Sequence, residues 1–413
     1  MSESQVFSDQ VSRIMSSYFD HPTLTRVLRT RRVFVAIGLL VAIGSCISAS
    51  RAFAEPDPSV LAELGRVLFF DVNLSQYRTQ SCASCHDPEH AFTDSRDNGV
   101  DGAASLGDDG RTIGDRNAPS AAYVSATPSF HKNEDGNYVG GLFLDGRATN
   151  LAAQAIQPLL NPTEMGLPNV SVVTSRVQEN PVAREMLLSQ FGADLFTDPE
   201  RTMNAIGASI NAFEQTEMFA PFDSKYDRYL RGEYQLTALE EMGRSLFTSP
   251  LTNCSSCHLL NVSSLREQEP FTNYRYHNIG LPPNVTLRSK NGSAIDRRDH
   301  GLLEHPDVDE LALDGKFKVP SLRNVAVTAP YMHNGVFREL KTAILFYNKY
   351  TIRTKQSQTN PESGLPWGEA EVPETIDIDL LNQGQPIDDG RAEALIAFLN
   401  TLTDARYEHL IGP

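Results

Sequence analysis

Two pentapeptides in this chain, Cys82-Ala83-Ser84-Cys85-His86 and Cys254-Ser255-Ser256-Cys257-His258, each place two thiols three residues apart and an imidazole beside the second. That is the attachment pattern of c-type haem. The thiols form thioethers to the porphyrin vinyl groups, and the adjoining histidine reaches the iron. A zinc knuckle would want a fourth ligand at close spacing, and a redox Cys-x-x-Cys has no need of the histidine. Two full copies therefore speak for two covalently attached haem c groups. Four of the five cysteines are used in this way and only Cys46 is left over, so no disulfide framework is available.

The segments that must position these motifs are alike. Leu61–Phe70 precedes the first and Leu239–Phe247 the second. Both carry apolar residues at helical spacing, and both contain Gly-Arg-x-Leu-Phe. This reads as an internal duplication. The expected fold is mainly α: two cytochrome-c-like helical haem domains, residues 55–235 and 236–413, with extensive irregular loops. Further helical patterns run over Asn150–Leu159, Arg201–Phe219, Glu339–Tyr347 and Gly390–Leu402. Residues 94–118 and 351–388, rich in Gly, Asp, Asn or Pro, read as loop. The single tryptophan, Trp367, falls in the second of these and reads as a surface-loop residue.

Residues 1–54 read as a leader. Arg26, Arg29, Arg31 and Arg32 precede an apolar stretch from Val33 to Ile43, and Ala52-Phe53-Ala54 supplies a cleavage signal. The apolar run is short for a membrane span, so a signal peptide is preferred over a retained N-terminal anchor. Ile43-Gly44-Ser45-Cys46 loosely resembles a lipoprotein box. Export to the periplasm agrees with haem c, which is attached after export. The chain carries a net charge of −16, and loss of the leader, with six arginines against three acids, takes it to about −19. Nucleic acid and anionic membrane surfaces are poor partners for so acidic a protein.

Beyond the pentapeptides, the chain resembles the bacterial di-haem cytochrome c peroxidase and MauG superfamily over nearly its whole length after the leader. The resemblance is carried by Ser81–His86 with Ala91-Phe92-Thr93-Asp94, by Arg116-Asn117-Ala118-Pro119-Ser120, and by Asp145-Gly146-Arg147-Ala148. It continues through Asn161-Pro162-Thr163-Glu164-Met165-Gly166, Phe317–Asn324 and Ala329–Gly335. The resemblance implies one haem that reacts with peroxide, held by Cys82, Cys85 and His86, and a second, low-spin haem held by Cys254, Cys257 and His258. Glu164 matches the distal acid–base residue of the peroxide site, where a carboxylate can take a peroxide proton and deliver it to the leaving oxygen. Gln154 and Pro158 match residues that line the same pocket; they support and orient, and neither transfers a proton usefully. A calcium ion is implied as well, held by the Asn117 side chain and the Thr328 and Pro330 carbonyls, with water completing an oxygen shell.

Two departures from the peroxidases point to the MauG-like branch. Peroxidases carry a histidine between the first haem motif and Arg-Asn-x-Pro that blocks the iron until reduction. Residues 95–115 hold none here; Asp108, Asp109 and Gly110 occupy that loop. His90 is too close to His86 to serve, and His131 reads as a surface residue. The first iron is thus expected to be open in the resting protein. The second haem's usual methionine ligand, fourteen residues after His333, is Tyr347, with Met332 the only nearby competitor. Tyrosinate is an anionic oxygen ligand that favours the ferric state.

Two differences concern electron routes. The tryptophan that relatives place before Asp-Gly-Arg-Ala, between the haems, is Leu144, with Phe143 beside it, and the exit tryptophan of MauG is Thr252. Inter-haem transfer is left to Phe143, to a displaced aromatic such as Tyr331, or to direct tunnelling. The expected function is peroxide-driven oxidation of an aromatic side chain, tryptophan in MauG, on a partner protein through high-valent haems. The alternatives are a cytochrome c peroxidase fed by a small cytochrome or cupredoxin, and a non-enzymatic electron carrier.

Overall fold

The computed structural model describes residues 55–260 and 268–412; the leader reading and Cys46 lie outside the described residues. Four helices carry the framework: α1 (Pro58–Phe69), α2 (Pro199–Glu214), α3 (Ala238–Thr248) and α4 (Asp389–Asn400). Each begins on a side-chain cap that satisfies an otherwise unpaired amide. Asp57 accepts from the Ser59 amide (2.9 Å), Asp198 from Arg201 (3.1 Å) and Asp388 from Arg391 (2.8 Å). Thr237 and Glu240 form a reciprocal capping box. Pro58 and Pro199 occupy first-turn positions, where a missing N–H costs nothing.

The duplicated Gly-Arg-x-Leu-Phe packs the same way twice. α1 crosses α2 at Gly65, where a Cβ would collide with the Ser209 carbonyl and come within 2.7 Å of Phe213 Cβ. α3 crosses α4 at Gly243, where a Cβ would collide with the Ala394 carbonyl and come within 2.8 Å of Phe398 Cβ. Each glycine thus lets two helix backbones touch. Around the first crossing lie Leu64, Leu68, Phe69, Ile206, Ile210 and Phe213; around the second, Phe247, Phe271, Leu395, Phe398 and Leu399. Full burial of each such side chain contributes about 1.5–3 kcal/mol.

A second repeat was not apparent in the sequence. Pro119–Tyr123 and Pro320–Asn324 each turn on a serine hydroxyl that accepts the amide two residues on, Ser120 from Ala122 (3.0 Å) and Ser321 from Arg323 (3.1 Å). Both then place their last residue in the left-handed region, with φ of 60° at Tyr123 and at Asn324. The amides of these two residues bond the carbonyls of Phe219 (2.9 Å) and Leu402 (3.0 Å), just beyond α2 and α4.

Strands are few among the described residues: His131–Lys132 pairs antiparallel with Tyr138–Val139, and Tyr276–His277 with Phe317–Lys318. Residues 94–118 form loop, as expected. Three expectations need correction. The pattern at 150–159 is two short helices, Leu151–Ala155 and Gln157–Leu160, because Pro158 has no N–H to continue the first. The helix expected to reach Phe219 ends at Glu214, and the chain then turns to bring the Phe219 carbonyl to Tyr123. Trp367 is no surface residue: it is 4% exposed, packs edge-on to Phe337 and Phe346, and donates its indole N–H to the Ser357 carbonyl at 2.7 Å.

Candidate functional site

The two Cys-x-x-Cys-His motifs have the same local geometry. Each histidine amide bonds the carbonyl of the first cysteine at 2.9 Å, closing one turn over the motif. His86 Nδ1 lies 3.2 Å from the Phe92 carbonyl and His258 Nδ1 lies 3.1 Å from the Phe271 carbonyl. Both phenylalanines are fully buried with positive φ, a backbone turn that aims each carbonyl at its ring. With the proton on Nδ1 the lone pair sits on Nε2, the tautomer that binds iron. Burial lowers the pKa of both rings, that of His258 to about 4, so each stays neutral.

Around the first motif, burial pushes the Cys82 and Cys85 thiols up, and the charge of Glu164 adds to both shifts. Burial pushes the Glu164 carboxyl above the usual glutamate range, against the opposing Arg147 charge and a 2.7 Å hydrogen bond from Asn161 Nδ2 to Oε1. The histidine-free loop around Asp108 is pinned here. Asp108 donates its amide to the Glu164 carbonyl (2.8 Å), while its carboxylate accepts from Ser75 Oγ (2.9 Å), Thr79 Oγ1 (2.6 Å) and the Tyr77 amide. His90 is half-exposed and paired with Asp87, and His131 is exposed. Gln154 sits half-buried on the helix Leu151–Ala155, and the Pro158 carbonyl receives the Asn161 and Met165 amides, holding the turn that carries Glu164.

The second motif opens on a cavity of about 420 Å³, within the usual range for cofactor sites. Cys254, Cys257 and His258 form part of its wall, together with Tyr347, Leu144 and Thr252. Burial raises the Tyr347 phenol well above its ordinary range, followed by the charges of Cys257 and Cys254. Ionisation there would need a cation at the oxygen, as a ferric iron would supply. Met332 also lines the cavity. The buried Nε2 of His333, a residue of the same wall, has no hydrogen-bond partner. Thiols, a neutral imidazole, a largely apolar wall and an unsatisfied polar atom together suit a haem.

Asn117, Thr328 and Pro330 all line this cavity. The Asn117 amide nitrogen donates to the Gly102 carbonyl at 3.1 Å, leaving Oδ1 as the side chain's oxygen donor. Among the described residues there is no cluster of three or more His, Cys, Asp and Glu for another metal.

Sequence reasoning missed three buried groups. Glu214, fully buried on α2, has a carboxyl pKa pushed up to about 8 by burial, an Oε2 with no hydrogen-bond partner, and a charge that reaches Cys82. Its one signal was its place at an apolar helical position, four after Ile210. Tyr123 and Asp404 gave no signal, because they meet only in the fold.

The sequence profile of the family described as di-haem cytochrome c peroxidase matches residues 59–235. Over 358 residues the chain is 51% identical to the methylamine utilization protein MauG of Paracoccus denitrificans, covering 87% of this chain and 92% of that one. It is 28% identical over 330 residues to the cytochrome c551 peroxidase of Nitrosomonas europaea, covering 78% and 84%. The crystal structure of the diheme peroxidase BthA from Burkholderia thailandensis superposes with a TM-score of 0.73 at 31% identity, covering 87% and 91%. The chain belongs to the di-haem cytochrome c peroxidase family, in its MauG-like branch, and carries two c-type haems.

Proposed function

We propose that this protein is a peroxide-driven oxidase that withdraws electrons from an aromatic side chain, tryptophan by similarity to MauG, of a partner protein. The observation that carries this reading is Tyr347 in the wall of the cavity that also holds Cys254, Cys257 and His258. A Tyr347 phenolate bound to the iron held by His258 would lower the potential of that centre. It would serve poorly as an electron store filled by a small cytochrome, and well as a store of oxidising equivalents.

When bound, the haems supply the one-electron chemistry: hydrogen peroxide takes two electrons from them, and the partner returns these one at a time. The chain's own residues do the rest. Glu164 accepts one peroxide proton and hands it to the departing oxygen, the task its buried carboxyl suits. Asn161 holds that carboxyl, and Gln154 and Pro158 shape the pocket beside it. Phe92 and Phe271 keep His86 and His258 in the iron-binding tautomer. The N-terminal haem belongs to residues 55–235 and the second to 236–413.

We place calcium at Asn117 Oδ1 with the Thr328 and Pro330 carbonyls. Asn117→Ala is expected to leave the desalted protein with much less than one calcium per chain by elemental analysis; full retention would rule the site out. Export to the periplasm follows from the leader reading, and no helix among the described residues is long and apolar enough to cross a membrane.

Low-temperature EPR of the ferric protein, before and after one equivalent of peroxide, tests the function. One high-spin and one low-spin signal, both lost with peroxide, are expected. Two low-spin signals that ignore peroxide until an electron is added, with rapid turnover of a reduced cytochrome, would instead assign a plain peroxidase.

A further inference from the structure

Leu144 leaves open how oxidising equivalents pass between the two centres, and the fold offers a different aromatic side chain for the task. Tyr123 belongs to the buried cluster that contains Phe92 and against which Cys82 packs. It also lines the cavity whose wall includes Cys254 and His258. The same residue thus belongs to the core against which the first motif packs and to the cavity of the second.

The Tyr123 hydroxyl, on a residue only 3% exposed, donates to Oδ1 of Asp404, which is 0% exposed. The other Asp404 oxygen accepts from Asn324 Nδ2 at 2.9 Å, and the Asp404 amide donates to Asn324 Oδ1 at 2.8 Å. Two donors on its two oxygens suit an ionised carboxylate. The Arg323 guanidinium, in a buried bidentate pair with Asp227 (2.6 and 2.9 Å), lies 5.0 Å from the Tyr123 ring and 5.4 Å from that of Phe271. The Phe271 carbonyl holds His258, and the Phe92 carbonyl, which holds His86, also receives the Ala121 amide.

The other aromatics of the cavity lack a base. The Tyr331 hydroxyl donates to the Val325 carbonyl (3.0 Å), and Tyr274 is bonded to Thr127. Phe143 has no O–H proton to release, so its oxidation cannot be coupled to proton transfer to a base. Tyr123 shares its left-handed backbone with Phe143 and Tyr274, so the buried carboxylate on its hydroxyl is what sets it apart.

We propose that Tyr123 is a redox relay between the two haems, with Asp404 as its proton acceptor. The inference rests on the peroxide-driven function above. After hydrogen peroxide has oxidised the haems, the phenol gives up one electron to them and its O–H proton moves to Asp404. The resulting tyrosyl radical regains an electron that originates in the partner protein, and the proton returns from Asp404. No atom leaves and the charge balances at each step.

The test is freeze-quench EPR after peroxide, on protein grown with ring-deuterated tyrosine and on Tyr123→Phe, Asp404→Asn and Tyr331→Phe, with haem content checked in each. The expected result is a tyrosine-derived signal that narrows on deuteration and survives Tyr331→Phe. It should be lost in Tyr123→Phe and in Asp404→Asn, which keeps an oxygen acceptor but cannot take the proton. A signal that persists in Tyr123→Phe overturns the relay. So does the absence of any tyrosine signal in the wild type while both haem spectra respond. Haem spectra that ignore peroxide overturn the function beneath it, and the relay with it.

Discussion

Glu164→Gln is expected to slow the reaction with hydrogen peroxide by ~10²–10⁴-fold, the usual contribution of a positioned acid–base group. The ferric haem spectra should hardly change, because Glu164 is neither an attachment nor an axial residue. Gln keeps the shape and an oxygen for Asn161 Nδ2, so the 2.7 Å contact can persist; what it lacks is the capacity to take the proton. Stopped-flow absorbance with excess peroxide reads the rate directly. The pH profile gives a second signature. The reactive form is the carboxylate, and burial raises the Glu164 pKa above the ordinary range. The wild-type rate should therefore climb with pH through that raised pKa and level off above it. In Glu164→Gln this limb should disappear. A limb that stays in the variant would assign the base to another group, and Glu214, whose pKa is pushed up to about 8, is the first to examine.

Tyr347→Met should raise the reduction potential of the second haem by an amount on the order of hundreds of millivolts, since axial-ligand choice spans roughly 0.8 V across haem proteins. Exchanging an anionic oxygen for a neutral thioether removes the charge that favours ferric iron. The variant should take up an electron readily and lose the peroxide-driven oxidation of a partner. The first haem's response to peroxide should remain. Spectroelectrochemical titration measures the shift. An unchanged potential would mean that Tyr347 is a wall residue and that Met332, in the same cavity, is the ligand to test next.

Both predictions rest on residues that were legible from the order of the chain, whereas the environments that make them effective were not. Glu164 was visible within Asn161–Gly166, but the burial that raises its pKa comes from packing. Tyr347 was found by counting from His333, while its place in the cavity with His258 required α3, α4 and the helix Leu340–Phe346 to assemble. Trp367 shows the reverse. A Pro- and Gly-rich neighbourhood suggested exposure, yet local composition says nothing about what packs over a loop, and Phe337 and Phe346 bury it.

What the sequence determined by itself was the chemistry set by spacing along the chain: two thioether–histidine motifs, a histidine-free loop at 95–115, and a duplicated helix with glycine at its crossing point. Covalent spacing needs no fold to be read. The tertiary structure alone decided the contacts between distant residues. His86 and His258 receive their tautomer from backbone carbonyls that only a left-handed turn aims correctly. Tyr123 meets Asp404 across 281 positions, because the turns after Pro119 and Pro320 dock on the chain beyond α2 and α4. Such a pairing has no local signature, since neither residue biases its own neighbours toward the other. It arises when two repeats bury their apolar faces together and leave one carboxylate and one phenol to satisfy each other in the interior.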